Sequence, residues 1–173
     1  MSNLLTRARF AGLVFIAFAG LAFCGRPERN EGFNPIAQAE EDDPVLRAIA
    51  VGARGSFGEF TRRLRRPAED EYNFQVKYPF AADPDSGYVY EYLWLKDIEF
   101  TDGKFSGVLA NGPLHVRDLV VGGRVEFLPD DIADWMYMKR GRIRGGDSIK
   151  YLIEKIPPAN REEALERYLG LFE

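Results

Sequence analysis

Cysteine and histidine are almost missing from this 173-residue chain, which has one of each, Cys24 and His115. A single cysteine excludes an intramolecular disulfide, and one of each excludes a zinc site assembled from Cys and His ligands. A Ser-His-Asp triad would have to be built on His115. Long apolar runs are scarce as well. The one present, Phe10–Phe23, would measure roughly 21 Å as a helix, short of the ~30 Å hydrocarbon core of a bilayer. A basic excess is also lacking, since Lys+Arg 23 against Asp+Glu 27 gives a formal charge of −4. Residues 1–23 carry Arg7 and Arg9 and no acid, so without those two cations the remainder stands at −6. Non-specific nucleic-acid binding rests on neutralising phosphates, so no nucleic-acid partner is expected. No glycine spacing matches a phosphate loop or dinucleotide fingerprint, no internal repeat is visible, and no cofactor is expected.

The N-terminal segment pairs Arg7 and Arg9 with the uncharged run that follows them, the pattern of a secretory signal. Leu21-Ala22-Phe23-Cys24 resembles a lipoprotein box with Cys24 as the lipidated residue, although Phe23 stands where a small residue is usual. Cleavage at Ala17-Phe18-Ala19 or Ala37-Gln38-Ala39, or retention as an uncleaved anchor, are the alternatives. Residues 1–24 are thus expected to be a signal peptide or lipoprotein signal, and 25–43, polar and acidic at its end, a flexible tether. Residues 44–173 form the expected single globular domain, long enough to bury a core without a disulfide or metal.

Asp43-Pro44 is an N-cap and first-turn pair. Leu46, Ile49, Ala53, Phe57, Phe60 and Leu64 then recur at helical spacing, which predicts an amphipathic helix ended by Pro67. Gly52, Gly55 and Gly58 weaken that helix, and the expectation is that they let it sit close to a sheet. Arg62, Arg63, Arg65 and Arg66 crowd its last turn as a solvated end. Tyr72–Tyr78 alternates, with Tyr72, Phe74, Val76 and Tyr78 on a buried face and polar residues opposite. Tyr88–Leu95 sets Tyr88, Tyr90, Tyr92 and Trp94 on one side, with Val89, Glu91, Leu93 and Leu95 on the other. Asp102-Gly103 marks a tight hairpin, and Asn111-Gly112-Pro113 and Gly122-Gly123 mark turns. Val125 and Phe127 face inward on the strand that follows. Asp147 or Ser148 is expected to cap one short helix, and Asn160 a last one carrying Ala164, Leu165, Tyr168, Leu169 and Phe172.

Two readings of a working face follow. An aromatic row of Tyr90, Tyr92 and Trp94 offers rings with polar tips that suit sugars or peptides. Asn111 and the Asp134-Trp135 corner lie beside it in the pattern. Arg140, Arg142 and Arg144, pointing one way in an extended chain, would form a rim with Asp131 or Asp134 as ionic partners. The corner itself reads mainly as scaffold, with Ile132 and Met136 in the core and Trp135 locking the sheet. The alternative is a hydrolase in which Glu91, Asp131 and Asp134 supply a carboxylate pair.

Several motifs occur in a recognisable order: Phe74-x-Val76-Lys77, Glu91-x-x-Trp94, Phe105-x-Gly107, Asn111-x-Pro113, a glycine turn before a Val-x-Phe strand, and Ile132-x-Asp134-Trp135-x-Tyr137 with Gly145-Gly146. Over roughly residues 45–155 the chain resembles the YegJ-like family, the bacterial domain of unknown function numbered 2314. The resemblance implies a small α+β domain with a strongly bent antiparallel β-sheet or partly open barrel. The N-terminal amphipathic helix and the two C-terminal helices would pack on it. It implies no activity. In the family pattern the position of Tyr92 carries histidine, so tyrosine here disfavours a mechanism built on that histidine. The functional expectation is a non-catalytic binding module exported to the bacterial cell envelope. It would be periplasmic and membrane-tethered, and its partner would be an envelope protein, peptide or glycan.

Overall fold

The computed structural model describes residues 43–172, and the expected signal, Cys24 and all of the expected tether but Asp43 lie outside them. Helix α1 spans Pro44–Arg65. Six strands follow: β1 Glu71–Ala81, β2 Tyr90–Thr101, β3 Lys104–Leu109, β4 Arg124–Phe127, β5 Asp134–Lys139 and β6 Arg142–Gly145. Helices α2, Asp147–Glu154, and α3, Glu163–Leu169, close the described chain. The strands form one sheet in the order β4-β3-β2-β1-β5-β6, every pair antiparallel and the ends not joined. This is the expected α+β architecture. No helix among the described residues is long and apolar enough to cross a membrane.

Both faces of the sheet are covered. The first core sets Phe57 and Phe60 of α1 against Phe74, Val76, Leu93, Leu95 and Phe127. The second, on the opposite face, gathers Met136, Ile143, Ile149, Ile153 and Leu165, with Trp94 and Met138 packed against it. Ile132 and Met136 are buried, as their positions in the pattern require. Trp135 ties the sheet to α1, its indole N–H reaching Ala53 O at 3.2 Å and Ser56 Oγ at 3.1 Å. The last described residues cover the β6 edge: Ile143 N–H donates to Leu171 O at 2.8 Å, and Ile143 bridges Phe172.

Several expectations are corrected. The three glycines of α1 do not bring it close to a sheet, because a Cβ at Gly52, Gly55 or Gly58 would meet nothing within 4 Å. They lie on its outer side. The β1 alternation breaks at a bulge between Tyr72 and Gln75, where Asn73 adopts φ 54°. Tyr72 is consequently 51% exposed while Gln75 and Lys77 are buried, since the second core covers the face read as polar. Strand β2 starts at Tyr90 and takes in Ile98–Phe100 beyond a second bulge, with Asp97 at φ 49°. Such bulges bend and twist a strand. Gly146, at φ 73°, is the N-cap of α2, and Glu162 precedes α3 as its cap; Asn160 instead ends a short 3-10 turn. The arginines at the end of α1 are largely solvated as expected, Arg62, Arg65 and Arg66 being exposed, while Arg63 joins Lys139 on the buried Glu71 at 3.1 and 3.0 Å and Arg65 lies 4.6 Å from the Phe100 ring centroid.

Candidate functional site

Register decides where this molecule opens. β5 pairs with β1 from Glu71↔Lys139 to Lys77↔Asp134, closed by Ala133 N–H to Lys77 O at 2.9 Å. Upstream of Asp134 the chain turns away through the 3-10 turn Pro129–Asp131. β1 continues alongside β2 as far as Ala81↔Tyr90. Its outer edge from Tyr78 to Ala81 therefore has no strand beside it among the described residues. Backbone direction alternates with period two, so Pro79 aims its missing N–H along the same side as Lys77 O. Proline is tolerated at such an edge because no donor is needed there.

A groove of about 490 Å³ occupies this notch. The first turns of α1 form one wall, with Leu46, Ala50, Arg47 and Arg54. Asp130, Asp131 and Ala133 form the facing wall. Lys77, Tyr78, Pro79 and Ser148 make the floor, and Tyr90 and Tyr92 complete it on the β2 side. Arg54 also ties the walls together, Nη1 donating to Ile132 O at 3.1 Å. Lys77, only 4% exposed, reaches within 5.7 Å of the Tyr92 ring centroid, a cation–π distance. Burial, and next the charge of Asp131, push the Tyr78 hydroxyl above its usual pKa.

The sequence-predicted residues separate. Tyr90, 43% exposed, and the half-buried Tyr92 meet in the groove. Trp94 leaves their row to pack on the second core, and Asn111 fixes it there, its Oδ1 accepting from Trp94 N–H at 2.8 Å. Asp134 is not a partner for the arginines. It is 2% exposed, opposite Lys77 across β1–β5, and accepts from Trp135 N–H and Ser148 N–H, each at 2.8 Å. Burial pushes its carboxyl above the usual range despite those donors and the Lys77 charge. Burial, and then Asp134, also push Tyr168 up to about 12.

Nor do the three arginines form one strip. Arg140 at φ 51° and Gly141 at φ 72° make the two-residue turn between β5 and β6, and Arg140 Nε pairs with Asp70 at 2.8 Å. Arg142 donates to Gly170 O at the end of α3, while Arg144 lies within β6. Nor do Glu91 and Asp134 form a carboxylate pair. Glu91 and Asp134 lie on opposite faces of the sheet, because Asp134 aligns with Lys77 and Trp94, three residues from Glu91. Glu91, 1% exposed, accepts from Leu114 N–H at 2.9 Å and His115 N–H at 2.8 Å. His115 stacks on Tyr88 at 4.2 Å. Among the polar and edge residues of the groove, sequence reasoning missed Arg47, Arg54, Lys77, Pro79 and Asp130. Only Pro79 carried a local signal, a proline closing an alternating run.

Comparison with known proteins agrees with the pattern of motifs. Over 128 residues the chain is 34% identical to the Neisseria meningitidis serogroup B protein named "Putative ankyrin repeat protein NMB1133/NMB1171", covering 72% of this chain and 50% of that protein. Over 95 residues it is 34% identical to "Uncharacterized protein YegJ" of Escherichia coli K12, covering 55% of this chain and 60% of the relative. The chain thus spans half to three-fifths of the length of these curated relatives. No solved structure matches. The family model described as "Uncharacterized protein conserved in bacteria (DUF2314)" matches residues 42–172, which takes in all of the described residues, and the chain belongs to that family.

Proposed function

We propose that the domain is a non-catalytic binding module, carried by an exported chain and working at the bacterial cell envelope. The observation that carries this reading is the groove at the open edge of β1, with Tyr90 and Tyr92 presented beside it. Its volume lies in the ~300–1,000 Å³ range of small-ligand clefts, which pair apolar surface with a few placed polar groups. A catalytic pair of Glu91 and Asp134 finds no support, since the two are on opposite faces and both hold backbone N–H groups. Export rests on Arg7, Arg9 and the run Phe10–Phe23, and tethering on Cys24 after that run. The partner is an envelope protein, peptide or glycan.

The direct check is a photo-crosslinking residue placed at Tyr90 in living cells, with a second at Lys104 on the β2–β3 hairpin as control. A discrete adduct from position 90 alone is expected. Equal labelling from both positions, or none from either, would remove the groove as the working face. Mass determination of the mature N-terminus tests the tether: a lipid-modified Cys24 supports it, and an unmodified, soluble product removes it.

A further inference from the structure

We infer that the groove takes an uncharged, hydroxyl-rich ligand, a segment of neutral glycan, rather than an extended peptide or a polyion. This deepens the binding-module reading and rests on it. Three features of the site point the same way. First, its charges oppose each other: Arg47 and Arg54 against Asp130 and Asp131. A polyanion would meet the aspartates and a polycation the arginines, and like charges brought together are costly. A sugar hydroxyl both donates and accepts, so it is suited to guanidinium on one wall and carboxylate on the other. Second, Tyr90 and Tyr92 supply aromatic surface with polar tips, which matches the apolar C–H faces and polar rim of a sugar ring. Third, the edge of β1 is blunted against the commonest route for peptide capture. Strand addition relies on main-chain hydrogen bonds from the edge, and Pro79 removes the donor in the middle of the open stretch Tyr78–Ala81.

The test uses the full 173-residue chain in a detergent without a sugar headgroup. It is applied to an array of uncharged tetrasaccharides, including glucose and N-acetylglucosamine oligomers, beside tetragalacturonate and de-N-acetylated chitosan tetramers. Binding to one or more uncharged members above both charged sets is expected. Tyr92→Ala should weaken it about tenfold, and Tyr92→Phe should leave it within about threefold. Tyr90→Ala, at a half-exposed site, provides a second variant, its fold checked by circular dichroism, whose affinity should also fall. Binding to no uncharged sugar, preference for a charged set, or affinities unmoved by the Tyr90 and Tyr92 changes overturns the inference. If the crosslinker at position 90 still yields a protein adduct, the binding-module reading survives with a protein partner. If neither sugar nor adduct appears, both fall together.

Discussion

Two carboxylates of this domain are held in opposite directions by their surroundings. Asp43 caps α1 through Val45 N–H at 2.9 Å and reaches α2, meeting Lys155 Nζ at 2.7 Å and Tyr151 Oη at 2.9 Å. The Lys155 contact above all holds its pKa at about 2, below the ordinary 3.8. Asp134 goes the other way, pushed up by burial. The signs follow from linkage. A lowered acid adds stability above its unfolded value and loses it as pH falls, so the Asp43 contribution is complete above about pH 4 and fades toward about pH 2. A raised acid keeps its proton to higher pH in the folded state, so Asp134 alone favours folding in acid. Asp43→Asn retains a capping side chain while removing the charge. Thermal melts between pH 2 and 5 should therefore show a shallower acid limb for Asp43→Asn than for wild type; an unchanged limb would assign acid sensitivity elsewhere. Asp134→Ala removes the acceptor of the Trp135 and Ser148 N–H groups and the negative charge facing the buried Lys77, and stranding buried polar groups in this way costs about 3–5 kcal/mol. Urea melts check this, with Asp134→Asn, which keeps an acceptor for those N–H groups, expected to lose less than Asp134→Ala.

Among the elements, α1 was the most legible. Its stripe of Leu46, Ala53, Phe57 and Phe60 is the buried side, and Asp43-Pro44 starts it as read. The glycines on its outer side meet open space, and glycine in a helix interior is weaker than alanine by about 1 kcal/mol. Alanine at positions 52, 55 and 58 should raise stability stepwise by up to that amount each in chemical denaturation; a loss at any of them would mean that something covers this side. Gly145 is the opposite case. It sits at φ 71°, and a Cβ there would stand 2.2 Å from Trp135 O. Gly145→Ala combines left-handed strain with overpacking, together about 3 kcal/mol, readable as a lower urea midpoint. The Asp102-Gly103 hairpin was legible for the same reason that Arg140-Gly141 was not. Both are two-residue turns with positive φ, but Arg-Gly carries little of the local preference that Asp-Gly does. The sequence pattern therefore runs a strand straight through it, and an arginine strip with it.

At the scale of the whole molecule, what escaped the sequence was set by register. Period two distinguishes the sides of a strand, yet it cannot say that a second layer of helices will cover the side carrying Gln75 and Lys77. The second core does so with residues from α2 and α3, far along the chain. Similarly, Tyr90, Tyr92 and Trp94 were correctly grouped on one side of β2, but β5 begins at Asp134 opposite Lys77 and leaves only the first two beside an opening. The motifs that place the chain in its family are largely those that close this architecture: Asn111 on Trp94, Asp134 on α2, Gly145 against Trp135. Family membership therefore reports the scaffold, and the working face we propose is the notch. Hydrogen–deuterium exchange on the full chain, with and without bacterial envelope extract, tests that claim most directly. Added protection should be confined to peptides covering residues 46–54, 77–79, 90–92 and 129–133, with the β2–β3 hairpin unchanged. Protection centred on the hairpin or on β6, with the notch unaffected, would contradict it.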